Sequence, residues 1–310
     1  MTLRFFLQKA ARALLTVILI VTTVFVVLRL TGDPAMYVLG IEADPSALEQ
    51  FRERWGLNDP IWQQYIRFIW NCMRGDFGYS YFEERDAMTA VLERLPKTVL
   101  LMGVTGIFTL LVGVPTGVLA AIHRNSWIDR LTMTVSVAGF SIPNFVLGIF
   151  LILVFSVTLQ WLPTGGSGTW QHLVMPVLTM GLAEAAVFAR FTRSAMLEAL
   201  NQPYMRTARA KGLRRNAAVW RHALPNAAIP LVTITGFFIG TLIAGGVVTE
   251  SVFSWPGLGR LLVTSVSNRD LAVVQIIVMF IAVSMVVTNL VIDLLYGWLD
   301  PRVGSARSGG

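Results

Sequence analysis

Residues 204–228 read YMRTARAKGLRRNAAVWRHALPNAA, a basic stretch of mostly small side chains with one glycine, Gly212, in it. Long runs of Val, Leu, Ile and Phe lie to either side. Of 310 residues, 55% are hydrophobic and 14% charged, whereas a soluble domain carries about a quarter charged residues. The apolar content falls into runs of about 20 residues, the length a helix needs to cross a bilayer core. The chain therefore reads as an all-α membrane protein, and 204–228 as a loop between two of its spans.

The expected spans are 10–30, 98–122, 131–159, 173–190, 225–249 and 272–298. The first, with TVILIVTTVFVVL at 16–28, has Arg4, Lys9 and Arg12 before or at its start but no A-x-A site after it. It reads as a retained helix rather than a cleaved signal. Orientation follows from Lys and Arg. A cytoplasmic N-terminus gathers on its side Arg4, Lys9, Arg12, Arg124, Arg130, the eight basic residues of 190–222, Arg302 and Arg307. The opposite short loops hold none in 160–172 and two, Arg260 and Arg269, in 250–271. Both termini are thus expected in the cytoplasm. The net charge of +7 reflects those loops rather than a nucleic-acid partner.

The outer loop 31–97 carries LEQFRERWGL and DAMTAVLERL, read as short amphipathic helices, around PIWQQYIRFIWNCMRGDFGYS. It serves either as a cap or as a docking and gating surface. The expected domain is one permease unit over 1–303, with 304–310 a flexible tail.

The residues offer no chemistry of their own. A P-loop needs Gly-Lys-Ser/Thr, and none of the three lysines, Lys9, Lys97 and Lys211, follows a glycine. One cysteine, Cys72, excludes an intrachain disulfide, and His123, His172 and His222 are scattered. No metal site is expected. Glu184 and Asp293 are read as the only acidic residues within the spans, suited to a polar lining or interhelical hydrogen bonds more than to a proton relay. G-V-P-T-G at 113–117 and G-F-F-I-G at 236–240 fit small-xxx-small helix contacts. Pro143 and Pro176 are candidate kinks.

Within the basic loop, Pro203 suits a first helical position, Tyr204–Lys211 gives two turns, and Gly212 suits a left-handed stop. Asn216 is expected to cap a second helix running into the fifth span. Such a loop is either a topology anchor touching anionic lipid or a short helix entering a partner's groove, with arginines pairing its carboxylates.

The spacing resembles the EAA loop of ATP-binding-cassette importer permeases: E-A-A, three residues, G, nine residues, I-x-L-P. With the glycine on Gly212, Arg206, Thr207 and Ala208 take the E-A-A places, and His222, Leu224 and Pro225 take I, L and P. The Glu, the first Ala and the Ile are replaced. The wording is similar to the dipeptide, oligopeptide, glutathione and nickel permease subfamily. GDPA at 32–35, GLNDP at 56–60, RGDFGYS at 74–80, RFTRSAMLEAL at 190–200, VTESVFSWPGLGRLL at 248–262 and DLLYGWLDPR at 293–302 agree with it.

The resemblance implies a six-helix type I importer permease fold in a bacterial inner membrane, with a helical outer loop and a coupling helix in 191–224. It implies as partners a second permease subunit, two ATPases that bind ATP and Mg, and an extracytoplasmic binding protein. This chain itself would hold no cofactor. The coupling contacts would come from Tyr204, Arg206, Thr207, Ala208, Arg209, Ala210, Lys211, Gly212, His222, Leu224 and Pro225. Candidates for the path or gate are Glu184, Pro143, Asn144, Phe253, Trp255, Pro256 and Gly257. The stretch VFSWPGLGR reads either as a re-entrant scoop or as an interface anchor built on Trp255. Di- and oligopeptides come first as solute, with glutathione or nickel chelates as the alternative. A membrane scaffold for a cytoplasmic partner, or an ion channel, is the reading from outside this class.

Overall fold

The computed structural model describes residues 3–30, 34–40, 43–80 and 82–299. The tail 304–310, Arg302, Arg307, the start of GDPA and the side chains of Arg4, Lys9 and Asp293 lie outside the described residues. The chain forms two compact units: Thr2–Thr98 with Pro256–Val286, and Val99–Trp255 with Val287–Gly310.

In the first unit, α1 (Leu3–Leu30) is followed by α2 (Pro34–Leu39), α3 (Pro45–Trp55) and α4 (Ile61–Met73). Asp44 caps α3 by accepting from the Ser46 amide, Pro45 fills its first turn, and Gly56 ends it at φ 61°. This is the LEQFRERWGL helix expected from the sequence. Phe25 of α1 meets Tyr65 and Phe68 of α4, each ring pair 5.3 Å apart.

A two-residue hairpin, Tyr79–Ser80 with Arg85–Asp86, leads into α5 (Ala87–Ile122). The unit also holds α12 (Leu258–Ser267) and the start of α13 (Leu271–Leu299). Ala87, Val91, Leu258, Leu261, Val273 and Ile276 form its core. Two polar bonds tie distant segments there. Leu258 N donates to Thr98 Oγ1 at 2.7 Å. The buried Ser80 hydroxyl donates to Asp270, which also caps α13 through the Val273 amide. DAMTAVLERL is therefore not a separate short helix. It is the first part of α5, which runs on through Pro96.

The second unit is built on α8 (Gln171–Leu200), whose buried residues extend from Met175 to Ala199. Against it pack α6 (Trp127–Ser141), α7 (Asn144–Leu151) and α11 (Leu224–Val252). Phe188 of α8 meets Phe238 of α11 edge-on, ring centres 5.1 Å apart, among Met180 and Leu242. The expected G-V-P-T-G contact is present. A Cβ on Gly113 would lie 2.8 Å from Ala185 O, and one on Gly117 2.5 Å from Ala189 O. Only hydrogen side chains let these two backbones approach so closely. Of the second motif, Gly236 lies against Ile292, 1.8 Å from a built Cβ.

The third span, expected over 131–159 with Pro143 a candidate kink, is broken sharply there. Trp127–Gly139 and Asn144–Thr158 are bent by 97°. Ile142 is extended at ψ 120° because the residue before a proline is pushed out of the helical region. Pro143 then occupies the cap position of α7. A π-helical stretch, Ile152–Thr158, continues α7. Pro176, by contrast, lies inside an unbroken α8. Among the described residues four helices are long and apolar enough to cross a membrane, or six spans if each bent pair is one.

Candidate functional site

The basic stretch folds into α9 (Pro203–Ala210). Pro203 holds its first turn, as expected. Its C-terminus is a Schellman stop: Leu213 N donates to Ala208 O at 3.2 Å and Gly212 N to Arg209 O at 2.9 Å. Gly212 sits at φ 84°, with nothing within 4 Å of a built Cβ. Here glycine is required by the left-handed backbone rather than by crowding.

The second helix differs in one respect from expectation. It starts at Arg215 with Arg214 in the cap position, so α10 (Arg215–Ala218) holds Asn216 inside its first turn. A π-helical turn, Val219–Ala223, joins α10 to α11 without interruption.

Met205 and Ala208 are the buried face of α9, one turn apart. Met205 packs with Met196 and Ala199 of α8, Val118 of α5, and Ala218 and Val219, and Ala208 is buried beside it at 7% exposure. Ala208 is thus small because it packs on its own fold, not because a partner's groove needs it. Tyr204, Arg206, Thr207, Arg209, Ala210, Lys211 and Gly212 are exposed. Leu224 is half-buried against the same cluster, and His222 and Pro225 follow in the helix leading away. The coupling residues expected from the sequence are therefore one local assembly: a firmly seated short helix with a basic outer face.

An ion pair missed by the sequence reading braces this region. Arg193 of α8 binds Asp129 of α6 through both guanidinium edges, Nε to Oδ1 at 2.5 Å and Nη2 to Oδ2 at 2.8 Å. Asp129 also accepts from the Asn125 amide, and its own amide faces the Ser126 cap. The sequence signal was the Ser-x-x-Asp spacing of a helix start, which places Asp129 but not its partner 64 residues away.

The path and gate candidates are divided between the two units. Phe253 is buried with Leu151 and Met175, and Gly148 of α7 lies against its ring. Pro143 and Asn144, which start α7, belong to that side of the unit. Trp255 is 1% exposed and packs with Leu101 and Val177. A ring so enclosed has no face for a membrane interface, which removes the anchor reading of Trp255. The loop before α8 crosses Phe253 so closely that a Cβ on Gly165 would lie 2.3 Å from its carbonyl oxygen. Pro256 and Gly257 fall in the other unit, where Gly257 precedes α12 with extended backbone. Glu184 is half-buried in α8. Glu184 and Asp293 are not the only acids in the spans: α11 runs to Val252 and holds Glu250, 1% exposed. Ending that span at 249 hid it.

Residues 113–305 match the family described as binding-protein-dependent transport system inner membrane component, and residues 2–102 its N-terminal companion. The chain is 45% identical over 274 residues to the glutathione transport system permease protein GsiC of Shigella flexneri serotype 5b, covering 88% of this chain and 90% of that one. It is 44% identical, over the same shares, to GsiC of Escherichia coli strain K12. Among solved structures it is similar in fold to the MetNI methionine ABC transporter in an inward-facing form. That match has a TM-score of 0.60 and 20% identity, covering 69% of this chain and 97% of that one. Membership removes the scaffold and channel readings, and implies that ATP is hydrolysed by a partner ATPase and that a binding protein delivers the solute. The chain belongs to the multi-pass inner-membrane permeases of binding-protein-dependent ABC importers, as their transport subunit and not their ATPase.

Proposed function

We propose that this permease carries glutathione or closely similar short peptides inward. The identity to glutathione permeases along most of the chain is the observation that carries this reading. Di- and oligopeptides stand second to glutathione here, because the relatives that carry a named solute are glutathione permeases. The test is uptake of labelled glutathione by cells lacking other glutathione importers and producing this chain with its native partner subunits. Saturable uptake that excess unlabelled glutathione abolishes is expected. Uptake of dipeptides or nickel with glutathione inert as competitor would overturn the solute assignment.

In this reading the chain works as one permease domain over 1–303 beside a second, related permease subunit. The exposed face of α9 enters a cleft on one of two ATPases. Its arginines meet carboxylates there, and ATP-driven closure of the ATPases draws the loop inward and turns the path outward. The burial of Met205 and Ala208 supports the idea, because a seated helix transmits a push that a loose loop would absorb. Phe253, Trp255, Pro256 and Gly257 then belong to the outer side, with Glu184, Pro143 and Asn144 along the path.

Both termini and the 190–224 loop are assigned to the cytoplasm, and α4 to the outer face. Cys72, the chain's one cysteine, reports on this directly. Burial, helped by Asp76, pushes its thiol up to about 11. The reactive thiolate is therefore scarce at neutral pH, and labelling is expected to accelerate about tenfold per pH unit up to that value. A membrane-impermeant maleimide at alkaline pH should label right-side-out vesicles and spare inside-out ones. The opposite pattern would invert the topology.

A further inference from the structure

Two cavities of opposite character meet at the base of α9. One, of about 380 Å³, is lined by four arginines, Arg124, Arg206, Arg209 and Arg215, and by no carboxylate. Among the described residues none of the four forms an ion pair, and the one carboxylate within electrostatic reach of Arg124, Asp129, is already bonded to Arg193. Arg215 donates to the Ile122 carbonyl at 2.8 Å, which fixes its guanidinium at the rim. The other cavity, of about 560 Å³, is walled by Val114, Val118 and Leu119 on one face of α5, and by Trp220 and Leu224 opposite. Ile122 and Arg215 line both. A basic basin therefore opens beside an apolar slot, and Trp220, 62% exposed, stands in the slot's wall.

We propose that an anionic phospholipid occupies this pair of cavities, its phosphate in the arginine basin and an acyl chain in the slot along α5. Four guanidiniums around one cavity repel one another, and an anion bound among them relieves that repulsion. A phosphodiester matches the planar fork of arginine, which binds such oxygens in pairs. A soluble phosphate would use the basin but leave the adjoining slot unfilled. A lipid uses both, and basic pockets between spans on the cytoplasmic side suit such headgroups. The tryptophan is of the type that settles at headgroup depth. The inference rests on the importer reading only for placing the loop on the cytoplasmic leaflet. Its consequence is regulatory: the lipid would share Arg206 and Arg209 with the face offered to the ATPase, so membrane composition would tune docking.

The test is native mass spectrometry of the purified assembly, exchanged into phosphatidylcholine nanodiscs containing a minority of phosphatidylglycerol. Wild type is expected to retain phosphatidylglycerol over phosphatidylcholine. Arg124→Gln with Arg215→Gln, which spares the α9 arginines, should lose it about 25-fold, at about fivefold per basic residue. The Arg→Lys pair, keeping charge but not the planar fork, should retain clearly more than the Gln pair and less than wild type, which separates anion binding from a packing role. Equal retention by wild type and the Gln pair would overturn the proposal, as would a wild type that keeps no phosphatidylglycerol because a neighbouring subunit fills the slot. Displacement of the lipid by glycerol 3-phosphate would overturn it in favour of a soluble phosphate. Failure of ATPase subunits to co-purify with wild type would sink the proposed ATPase docking of α9 instead. Retention of the lipid by the chain alone would still support the site.

Discussion

Gly117→Val is expected to abolish most of the folded protein. The new Cβ would stand 2.5 Å from the Ala189 carbonyl oxygen and 2.6 Å from Thr192 Cβ. Both belong to α8, the helix around which that unit is packed, and the oxygen is a backbone atom that no rotamer change moves aside. Overpacking in a core costs about 1–3 kcal/mol when side chains can yield, and here the cost should be at the top of that range or beyond. Gly103→Val is the control. It lies on the same helix and undergoes the same change in intrinsic helix propensity, yet nothing lies within 4 Å of its built Cβ. Detergent-extracted yield of monodisperse protein and its thermal midpoint are the measurements. Gly103→Val should stay near wild type while Gly117→Val collapses. Similar behaviour of the two would mean that α5 and α8 do not cross as described.

The second large effect concerns transport rather than folding. Arg206→Glu with Arg209→Glu should leave membrane insertion intact and cut uptake by more than tenfold, since each reversal replaces an attraction with a repulsion of at least about 1.5 kcal/mol. ATPase co-purification should fall with it. Parallel loss of membrane-inserted protein would instead mark these arginines as topology anchors. Gly212 offers a subtler probe of the same loop. Its surroundings are open, so only its φ of 84° constrains it. Asparagine tolerates that region and valine does not. Gly212→Asn should therefore transport and Gly212→Val should not.

What the sequence made legible follows a physical divide. Apolar runs are local, and the helices fall where the runs are, with α13 within a residue of its expected limits at each end. The stop at Gly212 was legible because a left-handed cap needs only one residue type. The basic stretch was legible because charge stands out against lipid-compatible sequence. Contacts between distant segments were not. Nothing local marks Asp129 as the partner of Arg193, or Ser80 as the partner of Asp270. Nor does composition reveal that Ala208 faces inward while Ala210 faces out, because the two differ only in phase around α9. Pro143 and Pro176 show the same limit. Each is a proline in an apolar run, but the first breaks the chain sharply and the second lies inside a continuous helix. The difference lies in what packs around them, and α8 is clamped along most of its length. Asn216 lost the cap position because the turn after Gly212 places Arg214 there first.

The π-helical turn at Val219–Ala223 gives the loop a property that no side chain supplies. Such a turn holds one residue more than an α turn, and each residue rotates a helix by about 100°. The turn acts as a phase shifter on a screw, setting the angle at which α10 and the Gly212 turn are presented relative to the apolar stripe of α11. One spare residue thus sets which way the basic loop faces around the axis it shares with α11.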